Sequence, residues 1–120
     1  MFAAAPLLLL LAVSPAQATP ITSDDELRFG VEVAQKGLWR EALFRFEQAA
    51  ALAPGDAKAL NNLAVALEQA GDFERARETY EKALQAKPGN LYIQQNYDLF
   101  READDKRNRQ KKKKKKNGGR

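Results

Sequence analysis

The chain has 120 residues, 44% of them hydrophobic and 30% charged, which predicts one small domain. It contains no cysteine and no histidine, which excludes disulfide bonds, thiolate nucleophiles, imidazole bases and metal sites built on those ligands. The net charge of +4 is unevenly spread, because residues 106–120 carry ten lysines or arginines and no acid, whereas the other 105 residues carry ten basic and 16 acidic side chains.

The first eighteen residues carry no charge and predict a secretory signal peptide. Phe2–Val13 is an apolar stretch, and Ala16–Ala18 forms a small-x-small cleavage site. A membrane-spanning helix would need about 20 apolar residues. We therefore expect cleavage after Ala18, a periplasmic or extracellular location, and a linker over residues 19–22. Two alternatives stay open, because no lysine or arginine precedes the apolar stretch: a disordered apolar tail, or a start site assigned too late in the gene.

The first helix is predicted to begin at Ser23. Ser23 can cap the helix, and Glu26 lies three residues later, as in a capping box. Asp24, Asp25 and Glu26 also lie near the positive end of the helix dipole. We interpret this acidic run as capping chemistry, since a catalytic carboxylate pair would need an enclosing pocket and a partner of shifted pKa.

Two helices are predicted to form a first hairpin over residues 23–56. The first helix is expected to run to about Lys36, with Phe29 and Val33 facing inward, and to end at Gly37. The second, from Arg40 to Leu52, has apolar residues at three- and four-residue steps: Ala42, Leu43, Phe46, Ala49 and Ala50.

A second hairpin is predicted over residues 57–90. Its first helix ends at Gly71, and we expect Ala42 and Ala76 to mark the helix crossings while Phe46 and Tyr80 fill the space beside them. The inward positions of its two helices are Leu60, Leu63, Ala64 and Leu67, then Ala76, Tyr80, Ala83 and Leu84.

These hairpins share landmark residues at one constant spacing in the sequence. That spacing equals the separation of Gly37 and Gly71 and is called one repeat length below. A period of this size indicates stacked helical hairpins that bury their apolar faces against neighbouring copies. The first unit carries Gly37, Trp39, Ala42, Phe46, Ala49 and Pro54, and the second carries Gly71, Phe73, Ala76, Tyr80, Ala83 and Pro88. We expect Trp39, the only tryptophan, to be a packing residue.

The landmarks resemble those of the tetratricopeptide repeat family over residues 23–90. The family's small residue in the first helix and its aromatic between two alanines in the second are present in both units. Glu26 and Leu60 replace the family's large aromatic early in the first helix. The resemblance implies an all-α, right-handed superhelical stack of antiparallel helix hairpins. The matching positions are Phe29, Gly30, Gly37, Ala42, Phe46, Ala49 and Pro54, then Leu63, Ala64, Gly71, Ala76, Tyr80, Ala83 and Pro88.

A capping helix is predicted over residues 91–105, with Ile93, Tyr97 and Phe100 as its inward stripe. Residues 106–120 are predicted to be a disordered basic tail, since like charges at this density repel one another. Two repeats and a cap make a small stack, so self-association or folding with a partner is left open.

The family's concave face implies a groove that binds a segment of another protein. Asn62 and Asn96 lie one repeat length apart and are expected to bond a partner's backbone, or alternatively their own backbone or solvent. Of the family's Lys, Asn and Arg set that grips a terminal carboxylate, only Asn62 matches, so that specificity is not expected. The groove positions are Leu27, Arg28, Val31, Asn61, Asn62, Val65, Gln69, Tyr92, Asn96 and Leu99.

The basic tail has three interpretations: a solvated extension, attachment to an anionic partner or membrane surface, or nucleic-acid binding. The absence of aromatics among its residues and the expected export argue against nucleic acid. The sequence thus predicts a non-catalytic scaffold without a cofactor, and the alternative is a polyanion-binding protein that acts mainly through its tail. The lysines of that tail are Lys111, Lys112, Lys113, Lys114, Lys115 and Lys116.

Overall fold

The computed structural model describes residues 18–119, and helices are the only regular secondary structure in that range. The predicted signal-peptide residues 1–17 lie outside the described residues. The helices are α1 (Ser23–Gln35), α2 (Trp39–Leu52), α3 (Ala57–Gln69), α4 (Phe73–Ala86) and α5 (Leu91–Gly118). Helix α1 packs against α2, and α3 packs against α4; α2 also packs on α3, and α4 packs on α5. This arrangement confirms the all-α stack of helix hairpins.

The cap of α1 lies one residue earlier than predicted. The Thr22 hydroxyl accepts a hydrogen bond from the Asp25 backbone N–H at 3.2 Å, and the Asp25 carboxylate accepts one from the Thr22 backbone N–H at 3.0 Å. Ser23 instead donates its hydroxyl to the carbonyl of Ala49 in α2 at 2.9 Å. The prediction of Ser23 as the cap was wrong because Thr22 and Ser23 are both followed, three residues later, by an acid.

Both hairpin turns contain a glycine with the same backbone conformation. Gly37 and Gly71 have φ angles of 77° and 79°, in the left-handed region that a side chain would strain. Immediately after each glycine, the N–H of Leu38 bonds the carbonyl of Val33, and the N–H of Asp72 bonds the carbonyl of Leu67, each at 3.0 Å. The predicted helix stop at each glycine is therefore confirmed.

The predicted helix crossings form the centre of the core. Ala42 and Ala76 have no exposed surface, and Phe46 and Tyr80 are 3% and 1% exposed. At Gly30 the backbone of α1 approaches the Phe46 ring so closely that a Cβ there would collide with the ring carbons. Small residues thus let the paired helices approach while the aromatic rings fill the space beside them.

The outer face of the first hairpin is closed by charged residues. Phe29 is 39% exposed, contrary to the predicted inward position, whereas its counterpart Leu63 is buried in the core shared by both hairpins. No hairpin precedes Phe29 in the described residues, and Arg45 covers it instead, 5.7 Å from the ring centroid. Arg45 also pairs with Glu26 at 3.3 Å and Glu41 at 2.8 Å, so ion pairs shield this end of the stack.

Helix α5 closes the other end through its predicted apolar stripe. Ile93 is 3% exposed and Phe100 is fully buried, while Tyr97 packs partly buried beside them. The Phe100 ring lies 5.4 Å from that of Tyr80 and 6.4 Å from that of Tyr97, distances at which aromatic pairs attract. The predicted capping face is confirmed.

The predicted end of this helix is wrong, since α5 does not stop at residue 105 but continues to Gly118. Asp104 is only 8% exposed and accepts hydrogen bonds from Arg77 of α4 and from Arg107, which lies one turn further along α5. The Arg107 guanidinium also lies 3.6 Å from the centroid of the Phe73 ring. These contacts hold the helix beyond its predicted end.

The composition of the basic segment also favours a helix once that anchor exists. Lysine, arginine and glutamine have high helix propensity, and cations stabilise the negative end of the helix dipole. Repulsion between like charges four residues apart costs only about 0.2–0.5 kcal/mol per pair. Predicting disorder from repulsion alone therefore overlooked both the anchor and the propensity.

Replacing Asp104 by asparagine is expected to lower the free energy of unfolding at pH 7 by about 1–2 kcal/mol, because Arg77 and Arg107 lose their charged acceptor. Burial raises the pKa of Asp104, but the hydrogen bonds from the two arginines outweigh burial, and the net pKa lies below its ordinary value of 3.8. A depressed pKa stabilises the fold above the ordinary value, and that stabilisation is lost as the pH falls through the folded-state pKa.

Urea unfolding at pH 7 and at steps below pH 4 checks both effects. The unmodified protein should lose more stability on acidification than Asp104→Asn does. Asp105→Asn, a change at the exposed neighbouring residue, is the matched control and should behave like the unmodified protein. Equal acid sensitivity of Asp104→Asn and the unmodified protein would contradict the anchoring role.

Candidate protein-binding groove

The first helices of the two hairpins and the start of α5 border a cleft of about 360 Å³. Because Val31 and Val65 lie one repeat length apart, they occupy equivalent places on α1 and α3. Tyr92 lies in the first turn of α5 and is 67% exposed. The cleft, called the groove below, is lined by Val31, Ala34, Gln35, Trp39, Phe46, Asn62, Val65 and Tyr92.

The start of α5 is fixed locally, which places Tyr92 at the groove. The Asn90 side chain accepts a hydrogen bond from the Ile93 backbone N–H at 3.0 Å and so caps the helix. Ile93 is buried against the second hairpin together with Ala83 and Leu60. Tyr92, which immediately precedes Ile93, therefore lies beside α3.

Asn62 is the polar centre of the site. It lines the groove and also two flanking clefts of about 650 Å³ and 330 Å³. Its side chain is half-buried, and no hydrogen bond occupies its amide among residues 18–119. An amide offers both donors and an acceptor, so Asn62 can bond the backbone of an extended chain laid along the groove.

Asn96 behaves differently from Asn62, although the two occupy equivalent positions in the repeat. The Asn96 amide donates to the Oδ1 of Asn61 at 3.1 Å, and Asn61 is only 2% exposed. Asn61 therefore joins α3 to α5 from inside the stack, and half-buried Asn96 is partly committed to it. Leu27, at 4% exposure, likewise belongs to the core. Neither residue lines the groove itself, but Asn61 borders the larger flanking cleft and Leu27 the smaller one.

The remaining predicted positions lie at the margins. Arg28 is exposed beside the smaller flanking cleft, where it pairs with Asp25 at 3.0 Å. Gln69 and Leu99 are exposed but border none of the three clefts that Asn62 lines. The structure thus brings together Val31, Asn62, Val65 and Tyr92 out of the predicted set.

Sequence reasoning missed several lining residues. Trp39 packs against the core, as predicted, and also lines the groove at the turn that follows Gly37. Lys58 lines both flanking clefts and lies one repeat length after Asp24, which lines one of them. The repeat spacing could have identified this pair as equivalent positions bordering the site.

The lysines of the basic segment lie on the last turns of α5, and all of them are exposed. No ion pair neutralises Lys111–Lys116 within the part of the chain that the structure describes. Arg107 is the last α5 residue with a hydrogen bond, ion pair or ring contact to another described helix.

Within the described range, none of the helices has the length and apolar content needed to span a membrane. The same range contains no cluster of three or more acidic, histidine or cysteine side chains suited to a metal ion.

Comparison with known proteins agrees with this architecture. The sequence model of the tetratricopeptide repeat matches residues 27–90, which is more than half of the chain. The crystal structure of the Sgt2 TPR domain from Aspergillus fumigatus matches with a TM-score of 0.69 and 22% identity, covering 75% of this chain and 61% of that one. At this identity the likeness shows a shared fold. No curated protein matches the sequence.

Proposed function

Because this chain belongs to the tetratricopeptide repeat family, we propose that it is a non-catalytic scaffold whose groove binds an extended segment of another protein. Repeat proteins of this kind present an elongated surface rather than an enclosed active site. The groove observed between α1, α3 and α5 is such a surface.

The observation that carries this proposal is the combination of exposed apolar side chains with the amide of Asn62. Val31 and Tyr92 keep 39% and 67% of their surface exposed, although both line a concave site. Covering them with a partner's apolar side chains would gain about 25 cal/mol per Å² removed from water. Asn62 would then bond the partner's backbone and fix its direction.

Site-specific photo-crosslinking in the native host tests this proposal. A photoreactive phenylalanine analogue is placed at Tyr92 in the groove and, as the matched control, at Phe44, an aromatic of α2 that is 50% exposed outside the groove. We expect a discrete protein adduct from position 92 and not from position 44. The same adducts from both positions would contradict groove binding.

A second variant separates contact from chance proximity. Val65→Asp places a carboxylate in the apolar part of the groove, where desolvation of its charge opposes burial by a partner. The adduct from position 92 should fall by roughly tenfold or more in this variant. Circular dichroism of Val65→Asp is the folding control, and its helix content should equal that of the unmodified chain.

We further propose that the basic end of α5 contributes electrostatic attachment. Lys111–Lys116 present six exposed charges that nothing neutralises in the described structure. The alternative function, a polyanion-binding protein in which the repeats are incidental, rests on these same lysines. Changing all six lysines to glutamine separates the two functions. A scaffold keeps its groove adduct in this variant. A pure polyanion binder loses all binding in it and binds unchanged in Val65→Asp.

Export with cleavage after Ala18 is also proposed, from the apolar stretch and the Ala16–Ala18 site. Residues 18–21 are exposed and lie outside the helices, and Thr22 is the first described residue with a hydrogen bond to the fold. Cleavage would thus leave every described helix intact. The intact mass of the protein purified from its native host should correspond to a chain that begins at Thr19, and a retained Met1 would contradict export.

A further inference from the structure

We infer that the partner segment is bipartite, with apolar residues that enter the groove and a run of acidic residues that pairs with the basic end of α5. This inference rests on the proposed groove function and names the chemistry of the partner. The occupant is a protein segment, and its acidic run lies at a distance set by α5 itself.

A single helix joins the two contact regions. Helix α5 begins beside the groove at Tyr92 and runs without a break through Lys116. With a rise of 1.5 Å per residue, Tyr92 lies roughly 29–36 Å from Lys111 and Lys116 along the helix axis. An extended peptide spans about 3.3–3.6 Å per residue, so about 8–11 residues bridge that distance.

The contacts of Asp104 fix the position from which the basic segment of α5 extends. Asp104 accepts hydrogen bonds from Arg77 of α4 and from Arg107, and Arg107 lies against the Phe73 ring. The direction in which α5 leaves the stack is therefore set by contacts to the second hairpin. A helix held in this way presents its lysines at a preset position and reduces the ordering cost of binding.

The face of α5 that continues from the groove becomes basic toward the end of the helix. At three- and four-residue steps from Tyr92, this face passes through uncharged residues and then turns basic. Of the four acids of α5, Asp98, Asp104 and Asp105 fall on other faces by the same spacing, whereas Glu102 borders this face beside Lys106 and Lys113. The positions that continue the face of Tyr92 along α5 are, in order, Asn96, Leu99, Ala103, Lys106, Gln110 and Lys113.

This pattern suits one continuous polypeptide better than the other polyanions. Tyr92 and Leu99, both at least 60% exposed, offer apolar surface that phosphates would not use. Residues 104–120 contain no apolar side chain that could insert into a bilayer. An acidic run on a peptide already held in the groove would meet the lysines at high effective concentration.

A selected peptide tests the inference directly. A display library of ten random residues, a ten-residue glycine-serine spacer and six glutamates is selected on the full chain. The best binder is synthesised with a fluorescent label in three forms: complete, with the glutamates changed to glutamine, and with a two-residue spacer. Anisotropy titrations at physiological ionic strength measure the affinity of each form. The protein variants are Lys111–Lys116 all changed to glutamine and, as the charge-preserving control, all changed to arginine.

We expect the complete peptide to bind roughly tenfold or more tightly than the other two forms. The glutamine variant should lose that advantage, and the arginine variant should keep it. Equal affinity of the complete and glutamine-substituted peptides would overturn the inference while leaving the groove function intact, provided that Val65→Asp weakens both. Binding that Val65→Asp does not change would overturn the groove function itself. Tighter binding of a DNA duplex or of anionic vesicles than of the complete peptide would overturn the assignment of a protein partner to the lysines.

Discussion

Replacing Phe46 by alanine is expected to lower the free energy of unfolding by about 3–5 kcal/mol, the cost of removing a buried aromatic side chain. Phe46 is 3% exposed, and its ring packs against the backbone of Gly30 in α1. Its neighbours on the same face of α2, Ala42 and Ala49, are fully buried and too small to fill this space. A domain of this size has only about 5–15 kcal/mol of total stability, so the variant should be close to unfolding.

Phe44 provides the matched control for this change. It lies in the same helix, carries the same side chain and is 50% exposed. Phe44→Ala should shift the free energy of unfolding by no more than about 0.5 kcal/mol. Urea unfolding followed by circular dichroism measures both variants, and equal losses at the two positions would show that Phe46 does not occupy the core position described here.

Replacing Phe100 by alanine is expected to cost a similar amount, about 3–5 kcal/mol, and to loosen α5 from the second hairpin. Phe100 has no exposed surface, and its ring contacts those of Tyr80 and Tyr97 at centroid distances of 5.4 and 6.4 Å. The guanidinium of Arg77 lies 5.6 Å from the same ring. Loss of this ring removes the largest fully buried side chain of α5, while Asn90 and Ile93 still hold the start of the helix.

The adjacent residue supplies the comparison. Leu99 is 60% exposed, and Leu99→Ala should leave both stability and α5 attachment nearly unchanged. Amide hydrogen exchange across residues 91–105 measures the attachment. Fast exchange in Phe100→Ala and slow exchange in Leu99→Ala are expected, and protection in both variants would contradict the capping role of α5.

The fold was largely predictable because its determinants are local and duplicated. Gly37 and Gly71 stop helices by backbone conformation, and Ala42 and Ala76 permit the close crossings, all at the same spacing. Phe29 was misplaced because the repeat pattern carries no information about which hairpin has no neighbour within the described residues. Its covering by Arg45 is a tertiary contact between α1 and α2.

The end of α5 was not predictable from charge density. Asp104 and Arg107 look like ordinary members of a charged stretch, and only the placement of Arg77 and Phe73 on α4 makes them an anchor. The candidate site was predicted in part for a related reason. Val31, Asn62, Val65 and Tyr92 follow from the repeat spacing, whereas the burial of Asn61 under Asn96 depends on how α5 packs against α3.

The emission of Trp39 tests the groove most directly, because this single tryptophan lines the site. The segment that crosslinks from position 92 is synthesised without tryptophan and titrated into the full chain. We predict a saturable change in Trp39 emission with one segment bound per chain, and no such change in Val65→Asp. Binding that leaves Trp39 emission unaltered and proceeds equally well in Val65→Asp would contradict the account.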